Sequence, residues 1–136
     1  MEIKNEYFLI TDDKNKIDYN FVINSLQNTY WAENRDEDTI IKSINNSIFI
    51  SLFKEDKQIG FTRIVTDESL FAWIADVYIN KEYRGKGLGK WLTKTTIEHP
   101  SIKKVSLQLL KTKDAHEFYK ELGFEKDECM VIRNKF

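Results

Sequence analysis

Tyr83-Arg84-Gly85-Lys86-Gly87-Leu88-Gly89-Lys90 sets three glycines among three cations, and Leu88, Trp91, Leu92 and Thr95 continue from it at helical spacing. Glycine admits φ > 0 and lets the backbone approach a ligand closely, so successive N–H groups can converge on an anion. A helix starting at the same point adds its positive end. The stretch therefore reads as a backbone cradle for phosphate at a helix N-terminus.

Spacing separates the phosphate loops that share this vocabulary. A Walker loop needs Gly, four residues, Gly-Lys and then Ser or Thr. Here Trp91 follows Gly89-Lys90, and Arg84 stands where the first glycine would be. A dinucleotide fingerprint needs Gly-x-Gly-x-x-Gly early in a βαβ unit, whereas Gly85, Gly87 and Gly89 have the wrong last interval and more than half the chain precedes them. Arg84-Gly85-Lys86-Gly87-Leu88-Gly89 instead resembles the acyl-CoA loop of the GCN5-related N-acetyltransferases: Arg or Gln, two residues, Gly, one residue, Gly or Ala. The competing reading is a glycine-rich turn that caps an ordinary helix.

A second stretch carries the same resemblance. In Asp114-Ala115-His116-Glu117-Phe118-Tyr119-Lys120-Glu121-Leu122-Gly123-Phe124, the residues Ala115, Phe118, Tyr119 and Leu122 form a helical stripe. Asp114 and Glu117 are placed to cap its start, and Gly123 to supply a left-handed exit. The family's second signature is Ala, three residues, Tyr, three residues, Gly-Phe. Two signatures in this order, with a strand between them, are more specific than either alone.

The 136 residues suffice for one domain with a real core, so a single N-acetyltransferase domain over 1–136 is expected. Composition is globular, with 41% hydrophobic and 32% charged residues and one proline. A net charge of −1 gives no electrostatic case for nucleic acid. The lone Cys129 can form no internal disulfide and lacks the partners of a metal site. No apolar run approaches the ~18 residues of a membrane span, and the acidic start is unlike a signal peptide. These features point to a cytoplasmic protein, monomer or homodimer, without metal, membrane or nucleic-acid partners.

From the N-terminus, Tyr7 to Ile10 reads as a strand, and Ile17, Phe21, Val22, Leu26 and Tyr30 recur at helical intervals. Asn34 with Glu37 resembles a capping box ahead of Ile40, Ile41, Ile44 and Ile48. Ile48–Phe53 and Ile59–Val65 form an expected hairpin about Glu55-Asp56-Lys57-Gln58. Leu70–Ile79 is the third strand of the meander and leads into the glycine loop. His99-Pro100 ends the following helix, and Val105, Leu107 and Leu109 mark a last strand. The resemblance implies a mixed α/β fold: a mostly antiparallel sheet flanked by helices.

The implied chemistry, acetyl transfer from acetyl-CoA to an amine, narrows the candidates. An alkylamine has a pKa near ~10, so a base or a water chain must take its proton. Asp76 is the nearest carboxylate, an acid whose strand alternation groups it with Ala72, Ile74 and Tyr78. A structural Asp held by backbone N–H groups is an equal reading. Backbone N–H groups of Val77, Tyr78 and Ile79 would meet the developing oxyanion if the strand splays. Tyr119 matches the tyrosine that protonates the departing thiolate in relatives; its competing reading is core packing.

The loop residues Arg84, Gly85, Lys86, Gly87, Leu88, Gly89 and Lys90 would hold the cofactor. Thr112 stands where the family often has a cofactor-contacting Asn. Trp31, at the corner between two helices with Tyr30, reads as a core plug or a wall of the acceptor pocket. Arg63 would bind an acidic substrate group or pair with an acid on a neighbouring strand. The absence of a well-placed Cys/His pair favours direct transfer in a ternary complex to a small-molecule or peptide amine. The rivals are a non-catalytic acyl-CoA-binding regulatory module of the same fold and a nucleotide-phosphate binder.

Overall fold

The computed structural model describes residues 1–134. Six strands form one sheet in the order β1-β2-β3-β4-β5-β6. They are β1 (Glu2–Asn5), β2 (Phe8–Thr11), β3 (Ile48–Lys54), β4 (Lys57–Thr66), β5 (Phe71–Ile79) and β6 (Leu107–Leu110). Neighbours are antiparallel except β5 and β6, which run parallel. Four helices accompany them: α1 (Tyr19–Gln27), α2 (Glu37–Asn45), α3 (Leu88–Ile97) and α4 (His116–Glu121). This is the mixed, mostly antiparallel architecture expected from the sequence.

The two faces of the sheet bury different sets of residues, as strand alternation requires. Ile10, Ile50, Leu52, Ile64 and Ala72 pack with Leu88 and Leu92 of α3. Phe49 and Phe61 pack with Val22 and Leu26 of α1 and Ile40 and Ile44 of α2. On this second face Phe49, Phe61 and Tyr78 stack across three adjacent strands, with ring centroids 5.6 and 5.3 Å apart, and Phe21 meets Phe61 edge-on at 5.9 Å. That aromatic ladder seats α1 over the strand that carries the candidate site.

Several elements depart from the expectations. Strand β1 pairs with β2 but is exposed throughout, so no apolar stripe announces it. Helix α2 is capped by Asp36, which accepts the Thr39 N–H at 2.8 Å, and not by Asn34. Val105 lies in a turn, donating to Ile102 O at 3.1 Å, and Leu107 is 50% exposed because β6 ends the sheet. At α4 neither Asp114 nor Glu117 caps the start; the Thr112 hydroxyl accepts the Ala115 N–H at 3.0 Å instead. Gly123 supplies the expected left-handed exit at φ 100.

His99 is buried, where the sequence suggested only a residue ahead of a proline. Its Nδ1 accepts the Ser101 N–H at 3.1 Å, so Nε2 carries the proton and donates to Asp12 Oδ2 at 2.8 Å. The contact ties the end of α3 to the end of β2. Among the described residues no cluster of three or more His, Cys, Asp or Glu is arranged for a metal, and no helix is long and apolar enough to cross a membrane.

Candidate active site

Strands β5 and β6 are paired only from Phe71–Leu107 to Ile74–Leu110. Beyond that point they diverge and open a cleft of about 1300 Å³. Its walls are the end of β5, the glycine loop, the segment 110–115, Phe118 and Tyr119 of α4, and Tyr30, Trp31 and Arg35 from the α1–α2 corner. Asn80 N–H donates to Ile59 O at 2.7 Å, so the antiparallel alternation turns Tyr78 toward β4 and leaves the N–H groups of Val77 and Ile79 facing the cleft. The splay that an oxyanion site needs is therefore present.

On one wall, Gly85 and Gly87 take φ 80 and φ 79. A Cβ at either position would have nothing within 4 Å, so the loop is an open concavity of backbone. Gly87 is the N-cap of α3, whose first turns point their free N–H groups into the same space. The residues present fit a pyrophosphate. Arg84 is pre-positioned at the rim: its Nε donates to Ile79 O at 2.8 Å and its guanidinium lies 5.4 Å from the Tyr78 ring centroid. Gly89 and Lys90 also line the cleft.

Two loop residues behave otherwise. The Leu88 side chain packs into the core, so the residue faces the cleft with its backbone. Lys86 does not line the cleft; its ammonium lies 5.5 Å from the Tyr83 centroid, beside Lys54 and Lys57 at 5.6 and 5.7 Å. The ring face attracts the charge outward. Thr112 lines the cleft, although its hydroxyl oxygen is occupied as an acceptor by Ala115.

Asp76 sits in a bulge of β5. Phe61 pairs with Tyr78 and Arg63 with Ala75, so Asp76 and Val77 together oppose Thr62, and Asp76 takes φ 57. The extra residue shifts the side-chain phase by one. Ala72 therefore faces α3 while Tyr78 faces α1, and the simple alternation that grouped Asp76 with both does not hold. The Asp76 side chain is 2% exposed. Its Oδ1 accepts from Trp31 Nε1 at 3.1 Å and Arg35 Nη1 at 3.0 Å, and its Oδ2 from Arg35 Nη1 at 3.0 Å and Arg63 Nε at 2.9 Å. Side-chain donors hold it, and not the backbone N–H groups of the structural reading.

A carboxylate so enclosed is an anchor for the α1–α2 corner; abstracting a proton would require it to give up ion pairs. Arg63 is correspondingly not a wall of the cleft. It lies behind Asp76, with its Nη1 on the Ser47 hydroxyl at 3.1 Å, and takes the neighbouring-strand pairing that the sequence left open. Trp31 is a wall rather than a plug, 41% exposed with its ring N–H fixed by Asp76. Arg35 was missed because nothing local distinguishes it; only an acid isolated in an apolar strand hinted that a distant cation must answer it.

Tyr119 stands on the opposite wall, packed edge-on against Phe118 and Phe124 at 5.1 and 5.9 Å. Its hydroxyl has no protein hydrogen-bond partner among the described residues, and the residue lines the cleft. Burial, reinforced by nearby Tyr30 and Asp114, pushes the phenol above its ordinary pKa. It is thus a protonated phenol on the wall of the cleft. The structure brings together Tyr119, the Val77 and Ile79 amides, the glycine cradle and Trp31; it leaves Lys86 and Arg63 outside.

Residues 45–126 match the description of an acetyltransferase (GNAT) domain. The chain is 38% identical over 88 residues to an uncharacterized N-acetyltransferase of Pyropia yezoensis, covering 61% of this chain and 51% of that protein. It is 29% identical over 132 residues to a corresponding protein of Porphyra purpurea, covering 93% and 74%. The chain thus spans about half the length of the first of these relatives. A solved structure from Xanthomonas campestris pv. campestris, assigned to the same family, superposes with a TM-score of 0.85 at 27% identity, covering 88% of this chain and 85% of that one.

Proposed function

The chain belongs to the acetyltransferase (GNAT) family, and on that premise we propose that it moves an acetyl group from acetyl-CoA to a primary amine by direct attack in a ternary complex. The observation that carries this reading is the divergence of β5 and β6 after Ile74 and Leu110, which sets a glycine anion cradle and an unengaged tyrosine on opposite walls of one cleft.

Acetyl-CoA supplies the activated acyl group. The N–H groups of Gly85 to Gly89 and the start of α3 hold its pyrophosphate, helped by Arg84 and Lys90. The outward N–H of Val77 stabilises negative charge on the reacting carbonyl oxygen, as a fixed donor that needs no reorganisation. Tyr119 gives a proton to the departing sulfur. Asp76 is saturated by four contacts with Trp31, Arg35 and Arg63, so water takes the proton of the amine. The amine enters past Tyr30 and Trp31.

The test is release of CoA thiol from acetyl-CoA with a broad panel of amines, run alongside the melting temperature. A ligand that binds only the folded state stabilises it by RT ln(1 + [L]/Kd), about 2.7 kcal/mol at 100 times Kd. An unchanged melting temperature in millimolar acetyl-CoA, with no thiol released by any amine, would overturn the reading.

A further inference from the structure

The charge at the inner end of the cleft does not balance. Two guanidiniums, Arg35 and Arg63, face a single carboxylate, Asp76, which leaves one positive charge in excess where side-chain exposure is 29%, 15% and 2%. Arg63 is enclosed by Asp76 and Ser47. Arg35 is different. Only its Nη1 is used, shared between both oxygens of Asp76. Its Nε and Nη2 have no protein acceptor among the described residues and are not among the buried unpartnered atoms, so this edge is accessible on a side chain that lines the cleft.

Nε–H and Nη2–H lie side by side on one edge of the guanidinium, the parallel pair that grips a planar carboxylate through two hydrogen bonds. Among the described residues that line the cleft, nothing else at this end offers a counter-charge. Asp114, the other acid lining the cleft, is exposed at the start of α4. Resting on the transferase reading above, we infer that the acceptor is an amine that also carries a carboxylate, held by the free edge of Arg35. The excess charge disfavours a second ammonium, so diamines and polyamines are poor acceptors. Asp76, Arg63 and Trp31 act as positioning residues that fix the plane of the guanidinium.

The experiment pairs each common amino acid with its carboxamide, adds the amine bearing a phosphate monoester in place of the carboxylate, and reads CoA release. The amine of the carboxamide is less basic and more often neutral, so that bias runs against the expectation. The acid is expected to exceed the amide at least tenfold in kcat/KM. In Arg35→Gln the two are expected to become equal, and Arg35→Lys, which keeps the charge without the fork, is expected to fall between. The acetyl-CoA melting shift, retained in both variants, shows that they are folded.

Melting of the CoA-saturated protein with acid or amide reads binding independently of turnover. Stabilisation by the acid alone, lost in Arg35→Gln, would support the inference even if no CoA were released, in which case only the transferase reading fails. Equal use or binding of acid and amide, preference for the phosphate, absence of binding by both, or a preference that survives Arg35→Gln would each overturn it.

Discussion

Arg63 Nε donates to Asp76 Oδ2 across 2.9 Å, from the strand facing the bulge in which Asp76 takes φ 57. The pair decides what Asp76 is for. Asn tolerates the left-handed conformation, so Asp76→Asn keeps the bulge, removes the charge that two guanidiniums share and turns one acceptor oxygen into an N–H donor. Stability is expected to fall by about 3 kcal/mol, the cost of leaving buried cations unpaired. Below the melting transition kcat is expected to stay within about tenfold. An unchanged melting temperature with a loss of kcat beyond 100-fold would make Asp76 a base after all.

Gly87→Val tests the cradle. No neighbour lies within 4 Å of the new Cβ, so the penalty comes from φ 79 and from filling the concavity. A left-handed residue with a Cβ costs roughly 1–2 kcal/mol, which a folded domain can sustain. The melting shift with acetyl-CoA is expected to vanish while the fold, read by circular dichroism, remains. Retained binding would place the pyrophosphate elsewhere.

Tyr119→Phe removes a hydroxyl with no protein partner among the described residues, so the melting temperature and acetyl-CoA affinity are expected to hold. The rate is expected to drop about 100-fold, the lower range for loss of a positioned acid. Burial raises the phenol, and the sign follows: the proton is held more tightly folded than unfolded, so its contribution to stability is complete below pH ~10 and is lost as pH rises through the raised pKa. No alkaline loss of kcat below pH ~10 should disappear in the variant. A limb near neutrality that Tyr119→Phe abolishes would contradict this assignment.

Arg84→Ala removes a guanidinium already fixed by Ile79 O and the Tyr78 ring. Its Kd for acetyl-CoA is expected to rise by roughly 1–3 kcal/mol equivalent, most at low salt, because charged contacts near the surface are screened. Titration calorimetry at two ionic strengths checks both halves of the claim; equal affinities at low salt would leave Arg84 a solvated cation.

The Asp12–His99 contact predicts an acid dependence. Burial would raise the Asp12 carboxyl, but hydrogen bonds from His99 and the Met1 ammonium outweigh it and hold the group below the ordinary carboxylate range. A lowered folded pKa contributes stability above pH ~4 that is lost as pH falls. Melting of Asp12→Asn is therefore expected to vary less than wild type as the pH falls below the ordinary carboxylate range and through the lowered pKa. Parallel curves would remove the pair from the account.

The glycine loop and the Ala115–Tyr119–Gly123 stripe were legible because they encode local conformation. Gly85, Gly87 and Gly123 occupy the left-handed region where a side chain is strained, and helical period sets Tyr119 beside Phe118. The meander was legible for a similar reason, since β3, β4 and β5 alternate or run apolar between polar turns. Strand β1 was not, because none of its residues is buried and period carries no signal without a buried face.

What only tertiary structure decided is the meaning of the charged residues. Asp76, Arg63, Arg35 and Trp31 come from β5, β4 and the α1–α2 corner, and their hydrogen bonds span from 13 to 45 residues of chain. No local preference fixes such a pairing. A bulge of one residue turns Asp76 toward the α1–α2 corner instead of α3, and that single change of phase moves a candidate base into an ion pair. Backbone conformation is set by neighbours in sequence, whereas the charge state and availability of a polar group are set by whatever the fold brings within hydrogen-bond reach.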